Sequence, residues 1–111
     1  MTIGMLNGHR LNLIKNFSSE SLSGLAEFSH VEILFYMNQV SDSERQFGAR
    51  HPRGDKSYPL IGVFAQRGKN RPNPIGLTVC RIASIEGTKL IVDGLGAVDG
   101  THVLEIGRAH V

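Results

Sequence analysis

"IGLTVCRIASIEGTKLIVDGL", residues 75–95, decides how the chain is read as a fold. Two apolar, β-branched runs, 75–85 and 89–95, flank the short turn Glu86-Gly87-Thr88. Such a pattern reads as two antiparallel strands joined tightly. "LIGVFA" (60–65) precedes them as a further strand and "THVLEI" (101–106) follows as another. "HVEILFYM" (30–37) is the strongest strand candidate upstream, and "RLNLI" (10–14) alternates weakly. "SSESLSGLAEF" (18–28) reads as one short helical segment broken at Gly24. Between Asn38 and Pro59 hydrophobic periodicity all but disappears, which predicts a long loop, and loops of that length usually carry function. Several short strands with frequent turns and little helix predict a mainly β fold, an antiparallel sheet or barrel.

The 111 residues suffice for one domain with a modest core and not for two. With 41% hydrophobic residues, 20% charged and 13 glycines, the composition is that of a globular chain rich in turns. No apolar run approaches the roughly 20 residues that span a bilayer, and no basic-then-apolar leader opens the sequence. Cys80 has no second cysteine to pair with, so a reducing, cytoplasmic setting is the expectation.

The net charge of +2 conceals an asymmetry. Residues 45–71 hold seven basic side chains against Asp55 alone, whereas the rest of the chain is acidic. A concentration of that kind attracts anions, phosphates foremost; a merely solvated loop is the plainer reading. Within it lies "FAQRGKNRPNPIG" (64–76). Each proline fixes its own φ and biases the residue before it, here Arg71 and Asn73, toward extended backbone. Gly68 and Gly76 bracket the segment and permit sharp turns or close backbone approach. The segment is therefore expected to be stiff before any ligand arrives. Arg67 and Arg71 offer forked donors suited to a carboxylate or phosphate. A proline-rich turn between strands accounts for Pro72 and Pro74 but not for the arginines.

"GVFAQRGKNRPNPIGLTV" (62–79) resembles the signature of the TsaA-like family typified by the tRNA methyltransferase TrmO. "GLAEFSHVEILFY" (24–36) and "VDGLGAVDGTHVLEI" (92–106) are similar to two further family segments, in the same order, and "GARHPR" (48–53) to a branch of it. The resemblance implies a compact β-barrel homodimer. It would use S-adenosyl-L-methionine to methylate the N6 position of a threonylcarbamoyl-modified adenosine in tRNA. It further implies cofactor contacts at Ser29, His30, Arg67, Leu77, Asp99, Gly100 and Thr101, with Arg71, Asn73 and Pro74 shaping the pocket. His30 is the candidate general base, or else orients the cofactor; an imidazole titrates near neutrality and suits either task. Methyl transfer from a sulfonium is an in-line displacement, so alignment of donor and acceptor matters most. The charges left over, Arg50, Arg53, Lys56 and Lys69, are expected to follow an RNA phosphate backbone. A non-catalytic S-adenosylmethionine- or RNA-binding module of the same fold is the alternative.

Other motifs weigh less. "GLGAVDG" (94–100) has glycine spacing one residue too long for a dinucleotide fingerprint, and no helix is expected after it. "RGD" (53–55) is a three-residue match of the kind chance supplies. The five histidines show no metal-ligand spacing, so no metal is expected. Cys80, within an apolar strand, reads as a core residue. The ends depart from the family pattern: the opening strand and its connecting segment are only echoed by "TIGML" (2–6), and His102 stands where a proline is usual. "IGRAHV" (106–111) is what ATC GGA AGA GCA CAC GTC encodes, a string similar to a sequencing-library adapter. The domain is therefore expected to span residues 1–106, truncated at its ends, with Gly107–Val111 a non-native tail.

Overall fold

The hairpin of residues 75–93 forms the spine of the structure. The computed structural model describes residues 1–39, 41, 43, 47–51, 55–65 and 72–110, with Arg50 and Val63 through their backbone alone. Its strands are β1 (Gly4–Asn7), β2 (Arg10–Leu13), β3 (His30–Tyr36), β4 (Ala49–Arg50), β5 (Ile61–Gly62), β6 (Ile75–Glu86), β7 (Lys89–Asp93) and β8 (His102–Ala109). Six of them close into an antiparallel barrel in the order β1-β2-β7-β6-β3-β8, with β8 returning to β1 through the pairs Gly4–Val103 and Met5–His102. Closure removes the open edges that a sheet of this size would otherwise present. β4 and β5 form a separate two-stranded ribbon.

Alternation along the strands builds the core. Leu6, Leu11, Val31, Ile33, Cys80, Leu90, Val92 and Val103 point inward and are buried together. The strand period of two leaves His30, Glu32 and Leu34 of β3 on the other face, with Leu77, Val79 and Arg81 opposite them on β6. β3 lies between β6 and β8, and its register fixes what stands at each end of the barrel. His30 pairs with Arg81 on one side and Ala109 on the other; six residues later Tyr36 pairs with Ile75 and His102.

The expected helical segment is two 3-10 turns, Ser19–Leu22 and Leu25–Glu27, separated at Gly24, whose φ is 85. Three expectations need correction. The run 60–65 is not one strand: β5 stops at Gly62, because its partner β4 offers only two residues to pair with, and Val63–Ala65 turns into a 3-10 segment that leaves Phe64 exposed. β1 was only echoed, by "TIGML" (2–6), and not read as a strand from its own residues, yet Leu6 is fully in the core. The last strand runs three residues beyond Ile106, to Ala109.

Candidate functional site

Among the described residues, a set of polar contacts gathers where β3 ends and β8 begins. Thr101 is 1% exposed, and its hydroxyl donates to the Val98 carbonyl at 2.6 Å, so it braces the turn from within. Gly100 adopts φ 84, a left-handed conformation that suits glycine, and its N–H donates to the Leu6 carbonyl at 2.8 Å. Asp99 accepts the Gly8 N–H on Oδ1 at 2.6 Å, which ties the turn to the β1–β2 hairpin. From the other side the Gln39 amide donates to the Asp99 carbonyl at 3.1 Å, and Asn38 Oδ1 accepts the His102 N–H at 3.1 Å. The end of the proline-rich segment joins the same cluster: the buried Pro74 gives its carbonyl to the Met37 N–H at 2.8 Å, next to the exposed Asn73. Leu77 lies two residue pairs beyond Ile75 on β6, opposite Leu34, and is 40% exposed.

Beside this turn opens a cavity of about 660 Å3, lined by Asp99 and Gly100, by Met5, Leu6, Leu13 and Ile14, and by Asn7 and Asn12. Its volume falls among small-molecule sites, and an apolar wall with a few placed polar groups is their usual chemistry. Ser29 and His30 do not share it. They stand at the opposite end of β3, on the order of 20 Å away at the rise of an extended strand. There Ser29 Oγ lies 2.7 Å from His30 Nδ1 and 3.3 Å from His110 Nδ1, which fixes the His30 ring. A second cavity of about 350 Å3 includes Ser29, His30, Arg81 and Ser84 in its lining. Arg81 is ion-paired with Asp93 across the hairpin.

The site residues expected from the resemblance thus divide: Asp99, Gly100, Thr101, Asn73, Pro74 and Leu77 toward one end, Ser29 and His30 at the other. Arg53, Arg67, Lys69 and Arg71 lie outside the described residues, as does the Arg50 side chain, whose backbone pairs with Ile61. Lys56 is exposed beside Asp55, whose carboxyl is held below its usual range by hydrogen bonds from the hydroxyl and N–H of Ser57. Asn38 and Gln39 went unread in the sequence because two amides after a strand carry no signal of their own. Among the described residues no cluster of His, Cys, Asp or Glu is placed to hold a metal, and no helix is long and apolar enough to cross a membrane.

A family model described as the tRNA-methyltransferase O N-terminal domain matches residues 5–108. The chain belongs to this family. The tRNA (adenine(37)-N6)-methyltransferase of Mus musculus is 39% identical over 99 residues, covering 87% of this chain and 22% of that enzyme. A protein of Methanocaldococcus jannaschii, named as a probable S-adenosyl-L-methionine-binding protein, is 39% identical over 97 residues, covering 86% of this chain and 76% of its own length. Among solved structures, TrmO from Pseudomonas aeruginosa superposes with a TM-score of 0.69 at 34% identity, over 90% of this chain and 40% of that one. This TrmO-family chain therefore spans well under half of both the mouse enzyme and the solved TrmO chain. The barrel is the part it shares with the solved TrmO chain.

Proposed function

We propose that this chain is an S-adenosyl-L-methionine-dependent tRNA methyltransferase acting on the N6 position of a threonylcarbamoyl-modified adenosine, as a cytoplasmic homodimer. The observation that carries the reading is the cavity of about 660 Å3 beside the Asp99-Gly100 turn in a barrel of this family. Its residues fit the methyl donor. Met5, Leu13 and Ile14 offer apolar surface to a ring or thioether-like stem, and Asn7, Asn12 and Asp99 offer hydrogen-bond partners to the polar ends. When bound, S-adenosyl-L-methionine supplies a methyl group on a sulfonium; the protein's part is to hold donor and acceptor aligned. His30, its Nδ1 tied to Ser29, keeps Nε2 for the acceptor's proton or for orientation.

The distance between His30 and the Asp99-Gly100 turn supports a homodimer, because a second copy can bring Ser29 and His30 of one barrel to the turn of the other. Arg67 would reach the cofactor while Arg71, Asn73 and Pro74 shape its pocket. Arg50, Arg53, Lys56 and Lys69 would follow the RNA phosphates, giving affinity that falls steeply with salt. A second reading, a binding module without catalysis, is favoured by one fact: the M. jannaschii relative, most of whose length this chain covers, is named only for binding S-adenosyl-L-methionine.

Radiolabelled S-adenosyl-L-methionine added to the protein with bulk tRNA, followed by digestion to nucleosides, separates the two. Label on the threonylcarbamoyl-modified adenosine is the expected result. Donor binding without transfer establishes the module instead, and no donor binding removes both.

A further inference from the structure

We propose that Asn38 and Gln39 are positioning residues that hold the 99–101 turn in the geometry that receives the methyl donor; the inference rests on the function proposed above. The turn is tied on one side to the β1–β2 hairpin, through Gly8 N–H to Asp99 Oδ1 at 2.6 Å and Gly100 N–H to the Leu6 carbonyl at 2.8 Å. Those bonds act like a hinge pin. Asn38 and Gln39 supply the ties on the β3 side: Asn38 Oδ1 receives the His102 N–H, and Gln39 Nε2 donates to the Asp99 carbonyl, both at 3.1 Å. The amide orientations follow from their partners, since only an oxygen can receive the N–H and only the NH2 can serve the carbonyl. At Gly100 a Cβ would stand 3.2 Å from Gln39 Nε2, so the amide closes over the turn where a side chain would crowd it.

The residue just before them adds a second connection. Met37 N–H donates to the Pro74 carbonyl at 2.8 Å, so three consecutive residues, Met37, Asn38 and Gln39, join the end of the R-P-N-P segment to the turn. Both Asn38 and Gln39 are exposed, and neither belongs to the core cluster. Exposed hydrogen bonds add little to global stability, so the value of these two lies in where they hold the turn. Asp99 and Gly100 line the cavity beside that turn, and a turn free to pivot would present the cavity with a wrong wall.

The test uses the full chain and three variants chosen by hydrogen-bonding capacity. Asn38→Asp keeps the acceptor for His102; Asn38→Leu has similar size and no acceptor; Gln39→Glu removes the donor that faces Asp99. Calorimetric titration with S-adenosyl-L-methionine is expected to show Asn38→Leu and Gln39→Glu about five- to tenfold weaker than the parent, and Asn38→Asp within about twofold, as the loss or retention of one hydrogen bond predicts. Amide hydrogen exchange supplies a readout that needs no donor. His102 should exchange faster in Asn38→Leu and at the parent rate in Asn38→Asp, with Val31 and Leu90 unchanged in both. Asn38→Leu binding as tightly as the parent, or Asn38→Asp as weakly as Asn38→Leu, overturns the proposal. So does accelerated exchange at Val31 and Leu90 in Asn38→Leu, which would make the residue a prop for the whole fold. A parent that binds no donor refutes the proposed function itself, and the unaltered exchange pattern then distinguishes that failure from a failure of the turn contacts.

Discussion

At Gly76 there is no room for a methyl group. A Cβ built there would fall far inside contact distance of Cε2 and Cζ of Phe35, the residue paired with it across β3 and β6. The last glycine of "RPNPIG" is thus required by packing, and of the two uses the sequence suggested, a sharp turn or a close approach, the structure takes the second. Gly76→Ala is expected to destabilise the protein by about 1–3 kcal/mol, the range for forcing extra carbon into a packed site. Adding Phe35→Leu should recover part of that loss; equal urea midpoints for Gly76→Ala and the parent would exclude the clash. Cys80, 1% exposed, is a core residue as its apolar strand suggested. Burial pushes its thiol above the ordinary value of 9.0, opposed by a contact with the Thr78 hydroxyl at 3.9 Å. A raised folded value means that the unfolded chain gives up the proton first, so stability is constant below the unfolded pKa and falls as pH rises past it. Urea unfolding from neutral to alkaline pH should show that decline in the parent and a shallower one in Cys80→Ala, and identical slopes would discount the burial effect.

Strands were legible where the chain offers enough residues to display a period. β3, β6 and β7 stand within a residue or two of their expected bounds because each carries at least five residues of alternating or apolar character. β1 and β4, with four and two residues, owe their existence to partners elsewhere in the chain, and no local pattern announces them. The same limit hid the division of the site. The resemblance gathered Ser29, His30 and Asp99–Thr101 as contacts of one cofactor, and the β3 register sets the two groups at opposite ends of one barrel. The end of β8 brings a prediction at this scale. Gly107, Arg108 and Ala109 pair with Glu32, Val31 and His30, Arg108 lies over the Phe28 ring at 5.0 Å, and the His110 ring meets Phe28 at 4.7 Å between centroids. No member of the buried core cluster lies beyond Ile106. A chain ending at residue 106 should therefore keep a cooperative barrel and lose about 1–2 kcal/mol, the worth of a cation–π contact and a few exposed hydrogen bonds. A broad, non-cooperative urea transition would show instead that the tail is integral to closure.

For the molecule as a whole, the proposed function turns on whether one barrel or two make a site. Along β3, His30 and Tyr36 are six residues apart, so a ligand held at the 99–101 turn lies on the order of 20 Å from the imidazole of the same copy. In the proposed two-fold dimer the contact would be reciprocal: each copy would lend Ser29 and His30 to its partner's turn and receive the same in exchange. Complementation tests this directly. Asp99→Ala damages every site of its own dimer in either arrangement, and His30→Ala does so only where the site is shared. In a mixed dimer the arrangements differ. If the site is shared, both substitutions fall in one pocket and the other is intact; if each barrel holds its own site at the turn, each copy behaves in the mixture as it does alone. Unfolding the two variants together in equal amounts and refolding them should give half mixed dimers, each with one whole pocket, so donor-binding capacity by calorimetry should return to about a quarter of the parent's. Capacity no greater than the average of the two variants measured separately would confine the site to one barrel, and His30 would then lie too far from the turn to act on anything bound there.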